Sequence, residues 1–462
     1  MSDVEQTTAS TWLASGSPIP RLLAGPVRRF LQTEIAGGIA LLVFTVIALI
    51  WANSPWGDSY ESLWHTEVGF TVGTFELSES LQHWVNDGLM TLFFFVVGLE
   101  IKRELVRGEL NEVRKAALPI AAAAGGMIVP ALIFFALNAG TGASSGWGVP
   151  MATDIAFAVG VLALVAPNAP TNLKIFLLSL AVVDDIGAIL VIAIFYSTGV
   201  QASFLLGAFA LLGVVVVLRR MQVWWMPVYV VIGVGLWYML LESGVHATLA
   251  GVAMGLFAPV TPLDLRHRRR VPLFEDEEHE DFALGLTELP PQEAMAVKAR
   301  IDASTSVAER LEFKLHPWTS YVIVPLFALA NAGVVLKFDT LGTAFTSRVT
   351  LGVIFGLVVG KIIGVLSFTY GALKLGVGVL PVGMTRRDLF GVSALAGIGF
   401  TVALFITSLA FEDPVFQDEA KVGILVASLL ATLLGASIFR GSSRGRGGVA
   451  ADASPGLEGG AR

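Results

Sequence analysis

The chain has 462 residues, of which 55% are hydrophobic and 15% are charged, and its formal net charge is −7. Soluble globular chains carry about 25% charged residues, and the mean hydropathy of +0.73 also argues against a soluble protein with a single core. Cysteine is absent, which excludes disulfides, thiolate metal sites and thiol catalysis.

The first 29 residues are polar and hold no compact apolar core before a small-residue cleavage site, so we expect no cleaved signal peptide and predict a cytoplasmic N-terminal segment at 1–31. Beyond it, apolar runs long enough to cross a hydrocarbon layer about 30 Å thick recur along the chain. They do not alternate as barrel strands do, and a helix satisfies its own backbone hydrogen bonds in lipid. The sequence therefore predicts an all-α membrane protein with about twelve transmembrane helices, at 32–52, 82–100, 116–138, 149–166, 173–197, 203–219, 226–241, 245–260, 318–336, 349–373, 388–411 and 421–439.

Lysine and arginine are distributed unevenly between alternate loops. One set of loops carries only Lys337, Arg348 and Lys421, and its first member, 53–81, is acidic. Basic loops stay in the cytoplasm, so we predict a multi-pass protein with both termini cytoplasmic. The basic residues of the cytoplasmic loops are Arg28, Arg29, Lys102, Arg103, Arg107, Arg114, Lys115, Lys174, Arg219, Arg220, Arg266, Arg268, Arg269, Arg270, Arg386, Arg387 and Arg440.

Two segments outside the predicted membrane domain, 32–440, have a soluble composition. The long cytoplasmic loop 261–317 contains a basic run, then the acidic run 275–281, and ends in a helix-like stretch. The tail 441–462 is rich in Gly, Ser and Ala, which predicts disorder. A solvated linker and a solvated tail explain both segments, and partner binding is the alternative.

The fourth and eleventh predicted spans are poorly built as continuous helices. The fourth carries Pro150, Thr153 and Asp154, and the eleventh carries Gly397 and Gly399 at its centre. Unwound backbone inside a membrane is tolerated only where it is buried in protein or lines a cavity. A pair of interrupted spans points to the binding site of a transporter, whereas close helix packing is the alternative explanation for the glycines.

Four ionisable side chains lie deep in the predicted spans: Asp154, Asp184, Asp185 and Lys361. A carboxylate at the centre of a membrane helix costs about 2.5–3.5 kcal/mol. Neighbours on a helix point about 100° apart, so Asp184 and Asp185 do not share a face. We hypothesise that one of them binds an ion and the other pairs with Lys361. A purely structural salt bridge is the alternative, and it accounts for at most two of the three carboxylates.

Carboxylates, hydroxyls and freed carbonyls suit small hard cations such as Na⁺ and Li⁺. Burial favours a protonated carboxyl group, so protons and Na⁺ can compete for one site, and competition at a site that faces each side in turn is antiport. We expect a transporter without a cofactor, a catalytic residue or a nucleic-acid partner. The alternatives are an intramembrane aspartyl protease, a Na⁺-coupled symporter and a passive cation channel.

Several motifs are similar to those of the NhaA family of bacterial Na⁺/H⁺ antiporters, and together they cover about Glu34 to Phe439. They are VNDGLMTLFFFVVGLEIKREL at 85–105, MATDIAFAVGVLAL at 151–164, FLLSLAVVDDIGAI at 176–189, GVHATLAG at 244–251, RLEFKLHPW at 310–318, PLFALANAGV at 325–334, GKIIG at 360–364 and GIGFT at 397–401.

The resemblance implies inverted repeats with two discontinuous helices that cross at mid-membrane. It also implies electrogenic, pH-regulated exchange of cytoplasmic Na⁺ or Li⁺ for external H⁺ in the bacterial inner membrane, for sodium and pH homeostasis. By this resemblance Asp185 is the main ion ligand, Asp184 is the partner of Lys361, and Thr153 and Asp154 lie at the crossing. Asp154 and Lys361 would then offset the facing helix dipoles.

The resemblance further assigns a set of residues to the pH response and matches Asp87 to a conserved-motif acid. It also implies that dimers form through an extracellular hairpin, a part that the acidic segment 58–79 can play. An ordinary ion-pair set at a helix end is the alternative for the first three pH residues, and a packed histidine is the alternative for His246. The residues assigned to the pH response are Glu100, Arg103, Glu104, Glu312, His316 and His246.

Overall fold

The computed structural model describes residues 35–260 and 306–449, apart from 74, 168, 198, 222, 224, 336–341 and 343–345. The predictions for 1–31, for 261–305 with its basic and acidic runs, for Lys337 and for 450–462 lie outside the described residues. Most of the described chain is α-helical. The α-helices of more than three residues are α1 (Ile35–Ala52), α2 (Gly57–Trp64), α3 (Met90–Arg107), α4 (Val113–Asn138), α5 (Ile155–Val165), α6 (Thr171–Phe195), α7 (Ala202–Arg220), α8 (Met226–Glu242), α9 (Leu249–Phe257), α10 (Val307–Trp318), α11 (Val324–Asn331), α12 (Arg348–Ile354), α13 (Lys361–Lys374), α14 (Arg386–Leu395), α15 (Phe400–Ala410) and α16 (Pro414–Val449).

Short helical segments of other kinds extend or connect several of these helices. They are the α-helical turn Leu81–His83, the π-helical turns Trp84–Leu89, Thr319–Ile323 and Phe355–Gly360, and the 3₁₀ segments Glu109–Asn111 and Gly142–Met151. The three π-helical turns stand directly before α3, α11 and α13, so each lengthens the helical run that it precedes.

Apolar helices make up the structure, which confirms the all-α membrane class. Five helices are long and apolar enough to cross a membrane, and the number rises to eight when each of three bent pairs is counted as one span. Each of the twelve predicted spans overlaps a helix, but the count of twelve stays a prediction. Large apolar side chains on the outer helices are exposed, among them Leu206 at 69% and Val231 at 71%. Exposed apolar surface of this extent suits hydrocarbon and not water.

The two discontinuous helices are present at the predicted places. The 3₁₀ segment Gly142–Met151 and α5 are bent by 46° across 152–154, and α14 and α15 are bent by 45° across 396–399. Asp154 caps α5 by accepting a hydrogen bond from the Phe157 backbone N–H at 3.0 Å. Each break therefore leaves a pair of helix ends inside the protein.

Close approach of glycines positions α13 against α4. A Cβ added to Gly364 would lie 2.0 Å from the carbonyl oxygen of Gly125, and one added to Gly126 would lie 3.6 Å from Cδ of Lys361. Small residues allow membrane helices to approach in this way. The contact carries the Lys361 side chain into the centre of the protein, where it is 1% exposed.

The acidic loop 53–81, which the sequence predicts to be extracellular, is folded. It contains α2 and an antiparallel hairpin of β1 (Glu67–Val72) and β2 (Phe75–Ser80), in which Glu67 pairs with Ser80. Gly73 has φ of 64°, a left-handed conformation that glycine adopts without strain at a hairpin turn. This two-stranded sheet was not predicted, because two six-residue strands give little periodic signal beside the long helices.

The C-terminal helix is longer than predicted. The sequence predicts a disordered tail from residue 441, whereas the backbone of α16 stays helical to Val449. Glycine and serine are weak helix formers, but a helix that already exists is extended one hydrogen bond at a time without a new nucleation cost. The helix-like stretch predicted at the end of the loop 261–317 is present as α10.

Candidate ion-exchange site

The two breaks cross each other and are joined by hydrogen bonds. The Asp154 backbone N–H donates to the Ile398 carbonyl at 2.7 Å, and Oγ1 of Thr153 lies 2.9 Å from the Ala396 carbonyl oxygen. A Cβ added to Gly397 would lie 2.4 Å from the Leu357 carbonyl oxygen, and one added to Gly399 would lie 3.1 Å from that of Ala152. The glycines therefore serve both the break and the close packing, which the sequence presented as alternatives.

Asp154 lies where two helices begin. Besides capping α5, its carboxylate accepts hydrogen bonds from the backbone N–H of Thr401 at 3.1 Å and from the hydroxyl of Thr401 at 2.5 Å. Thr401 is the second residue of α15, so the carboxylate faces the N-terminal ends of α5 and α15 together. Negative charge is stabilised at such ends by the free N–H groups and the helix dipole.

Lys361 lies at a helix end of the opposite polarity. Its ammonium group donates to the carbonyl of Met151, the last residue of the 3₁₀ segment, and to the Thr153 hydroxyl at 3.0 Å. It also pairs with the Asp184 carboxylate, with Nζ and Oδ2 2.6 Å apart. The hypothesis that one of the adjacent aspartates pairs with Lys361 is confirmed, and the partner is Asp184, as the resemblance implies.

Asp184 and Asp185 have different surroundings although they are neighbours in α6. Asp184 is 1% exposed, and its Oδ2 accepts from Lys361 and from the Thr153 hydroxyl at 2.6 Å, while its buried Oδ1 has no hydrogen-bond partner among the described residues. Asp185 is 7% exposed, and its side chain makes no hydrogen bond or ion pair within the described part of the chain. The carboxylate of Asp185 and one oxygen of Asp184 therefore have no hydrogen-bond partner among the described residues.

A second charged cluster joins α3 to α10. The Arg103 guanidinium donates to Glu312 Oε1 at 2.5 Å and lies 3.8 Å from Glu104 Oε1. One turn further along α3, Arg107 pairs with Glu309 at 2.8 Å. These two ion pairs hold α10 against the C-terminal end of α3. In each pair the arginine lies on α3 and the glutamate lies on α10.

The two glutamates of α10 respond oppositely to their surroundings. Burial raises the pKa of Glu312 above its usual range, against the effect of Arg103. Burial also acts to raise the pKa of Glu309, but the hydrogen bonds from Ser306 and the ion pair with Arg107 outweigh it and lower that pKa. Glu312 also keeps one buried oxygen, Oε2, without a hydrogen-bond partner among the described residues.

Comparison with known proteins identifies the family. The family model described as Na⁺/H⁺ antiporter 1 matches residues 28–439, which is most of the chain. This chain belongs to the Na⁺/H⁺ antiporter 1 family. The family is one of transporters.

Relatives in this antiporter family match almost end to end. The Na⁺/H⁺ antiporter NhaA of Oleidesulfovibrio alaskensis is 46% identical over 439 residues, which cover 94% of this chain and 97% of that protein. NhaA 2 of Sorangium cellulosum is 46% identical over 95% of this chain and 94% of its own length. NhaA of Rhodopirellula baltica is 46% identical over 91% of this chain and 95% of its own length.

The structure brings some of the residues assigned to the pH response together and leaves others apart. Glu100 lies one turn before Arg103 and Glu104 on α3. His316 is exposed on α10, two residues before its end. His246 is remote from this cluster, in the segment between α8 and α9, where its Nε2 lies 2.9 Å from the Tyr196 carbonyl oxygen.

Asp87 is the conserved-motif acid of the resemblance, and it lies in the π-helical turn before α3. Its Oδ2 lies 2.8 Å from Nε2 of His83, and its carbonyl accepts from the Trp237 indole N–H at 3.1 Å. It is 9% exposed. These contacts join the start of α3 to α8 and do not reach the crossing.

Two contributors to the crossing were not selected from the sequence. Thr401 donates twice to Asp154, and the Met151 carbonyl accepts from Lys361. The threonine directly after the GIGF stretch is the signal that could have identified Thr401. A carbonyl leaves no such signal in the sequence.

Proposed function

We propose that this chain exchanges cytoplasmic Na⁺ or Li⁺ for external H⁺ across the bacterial inner membrane, with both termini in the cytoplasm. Family membership supports Na⁺/H⁺ exchange. One observation supports the assignment of this function to particular residues. The Asp185 carboxylate is buried beside Asp184 without a hydrogen bond or ion pair to any described residue.

In this proposal Asp185 is the main ligand of the transported cation, and the open Oδ1 of Asp184 is the second. Na⁺ and Li⁺ prefer oxygen donors, and the two neighbouring carboxylates offer them in a buried site. An uncompensated carboxylate is costly in such a place. A bound proton or a bound cation removes that cost, so the two ions compete for the same group.

The charges of the site support electrogenic exchange. With every group ionised, Asp154, Asp184 and Asp185 carry −3 and Lys361 carries +1, so the site as a whole carries −2. One Na⁺ leaves a net charge of −1, whereas two protons make the site neutral. In this proposal Asp184 and Asp185 share one Na⁺, whereas each of them takes a proton of its own, so one Na⁺ exchanges for two protons and net charge moves across the membrane.

We assign pH regulation to the contact of α10 with α3. Because the pKa of Glu312 is raised, its charge and its ion pair with Arg103 are lost at a higher pH than those of an ordinary glutamate. Protonation of Glu312 removes this ion pair and so alters the contact of α10 with α3. Glu100 and Glu104 belong to the same helix face as Arg103. His316 and His246 enter this proposal through the resemblance alone.

The hairpin β1–β2 supports the proposal of a homodimer. A two-stranded sheet has edges with unpaired backbone N–H and C=O groups, which can pair with the same edge of a second copy. Removal of 67–80 with a short Gly-Ser replacement is expected to convert dimers to monomers in light scattering of the detergent-purified protein. An unchanged dimer mass would refute this role of the hairpin.

The exchange itself is tested in everted membrane vesicles that hold a proton gradient. Addition of Na⁺ or Li⁺ is expected to collapse the gradient in vesicles with the unmodified chain, and faster when a membrane potential is imposed in the favourable direction. Asp185→Asn is expected to abolish the collapse. Asp58→Asn is the matched control, because it removes a carboxylate of α2 far from the crossing.

The outcomes separate the parts of this proposal. No collapse by either cation at any pH from mildly acidic to alkaline would contradict antiport. Full activity of Asp185→Asn would leave antiport standing and remove the assignment of the main ligand. A rate that ignores the membrane potential would contradict the electrogenic ratio alone.

A further inference from the structure

A cavity of about 400 Å³ opens between the last turn of α13 and the first turn of α14. It is lined by Tyr370, Leu373, Lys374, Leu380, Arg386 and Leu389. In the proposed orientation this end of both helices is cytoplasmic. The cavity lies at the opposite end of α13 from Lys361, and no residue of the exchange site described above lines it.

The charge of this cavity is positive. Lys374 and Arg386 are both exposed, and neither makes an ion pair with a residue in the described ranges. Among the described residues, no carboxylate lines the cavity. The nearest acid in the chain, Asp388, is buried and closes a capping box with Thr385 at the start of α14. Two basic residues and Tyr370 thus line a space whose remaining walls are leucines.

The segment between the two helices presents apolar side chains outward. Leu375 is 80% exposed, Val379 is 83% exposed and Val382 is 86% exposed. Exposed apolar groups beside basic ones are typical of a segment that lies in the interface of a membrane, with its apolar side chains among acyl chains and its cations at the headgroups.

We propose that this cavity binds an anionic phospholipid of the cytoplasmic leaflet. The headgroup phosphate lies between Lys374 and Arg386, and the Tyr370 hydroxyl donates to it. The acyl chains run along the leucines of the wall and beside the exposed side chains of 375–382. Basic pockets between membrane helices on the cytoplasmic side have the charge and the depth for such headgroups.

A lipid in this position bridges two helices that carry the exchange site. α13 begins at Lys361, and α14 leads directly into the break at 396–399. The phosphate would therefore connect the cytoplasmic end of α13, which bears Lys361, to the cytoplasmic end of α14, which forms half of the crossing.

The test measures lipid binding by the delipidated full-length chain in detergent, by native mass spectrometry and by the rise in melting temperature on addition of lipid. Phosphatidylglycerol is the probe, and phosphatidylcholine is the uncharged comparison. Each basic residue near an anionic surface contributes about 1 kcal/mol, so Lys374→Gln/Arg386→Gln is expected to weaken phosphatidylglycerol binding about 30-fold. Arg114→Gln/Lys115→Gln removes the same charge from another cytoplasmic loop and is expected to leave binding unchanged.

Three further arms decide what the cavity recognises. The swapped variant Lys374→Arg/Arg386→Lys is expected to keep its affinity, and its loss would overturn a site based on charge. Val379→Asp is expected to weaken binding without any change in the two cations, and full affinity would overturn the role of the exposed segment. Inorganic phosphate is expected to neither compete nor raise the melting temperature, and equal effects of free phosphate and lipid would overturn the lipid proposal.

Discussion

Removal of the Lys361 side chain should destabilise the protein more than the loss of one hydrogen bond would. Lys361 and Asp184 are each 1% exposed, and their charged atoms are 2.6 Å apart. Lys361→Met keeps the volume of the side chain but leaves the Asp184 carboxylate buried with only the Thr153 hydroxyl as a donor. We therefore expect the fall in stability to come from the stranded charge and not from a cavity.

The magnitude follows from the behaviour of buried ion pairs. Loss of one partner of a buried pair costs about 3–5 kcal/mol, whereas replacement of both by groups of similar volume is often neutral. The double variant Lys361→Met/Asp184→Asn should therefore recover most of the loss. Lys421→Met is the matched control, because Lys421 pairs with the half-exposed Asp418 at 3.4 Å. Such surface pairs contribute about 0–1 kcal/mol.

The assay is thermal unfolding of each detergent-purified variant at equal protein and lipid content. The expected order of melting temperatures is wild type and Lys421→Met highest, the double variant slightly lower, and Lys361→Met lowest. A double variant as unstable as the single one would show that a stranded carboxylate is not the cause. A single variant that melts like the wild type would refute the reasoning altogether.

Two further predictions concern packing and pH. Gly364→Ala should lower the melting temperature and the exchange rate together, since its Cβ would lie 2.0 Å from the Gly125 carbonyl oxygen and overpacking costs about 1–3 kcal/mol. Gly371→Ala, on the same helix with no atom within 4 Å of the added Cβ, should be neutral, and equal losses in both variants would contradict the packing argument. For Glu312, whose folded pKa is raised, the wild type should lose stability relative to Glu312→Gln as the pH rises through that pKa, because ionisation is disfavoured in the folded state. Glu309 has a lowered pKa, so the stability difference between the wild type and Glu309→Gln should depend on pH in the opposite direction: the advantage of the wild type is lost as the pH falls. Melting temperatures of the wild type and of each variant, measured from acid to neutral pH, check both dependences. Melting temperatures that change in parallel with pH would contradict them.

The site was predictable from the sequence where its signal is local. A carboxylate or an ammonium group in an apolar run is conspicuous in itself, so Asp154, Asp184, Asp185 and Lys361 stand out from the residues around them. The breaks are also local, since Pro150 and the glycine pair interrupt helices at those positions. These features need no knowledge of which helices are neighbours.

The partners of those groups were not predictable in the same way. A rotation of 100° separates Asp184 from Asp185, but which of them faces Lys361 depends on how α6, α4 and α13 pack, and the contact of Gly125 with Gly364 sets that packing. Likewise, Thr401 reaches Asp154 across 247 residues of sequence. The resemblance assigned the Lys361 partner correctly because it draws on a fold that composition and periodicity do not contain.

At the crossing, the charges of Asp154 and Lys361 differ in function from the unpaired carboxylate of Asp185. Asp154 faces two helix N-termini, and Lys361 faces the carbonyl end of the 3₁₀ segment, so each stabilises broken backbone that lipid could not satisfy. If a transported ion neutralised either of these, it would release the helix ends that the charge holds. Asp185 has no such structural partner among the described residues, so its occupancy can change without cost to the crossing. This difference supports the proposal that Asp185 is the main ligand of the exchanged ions.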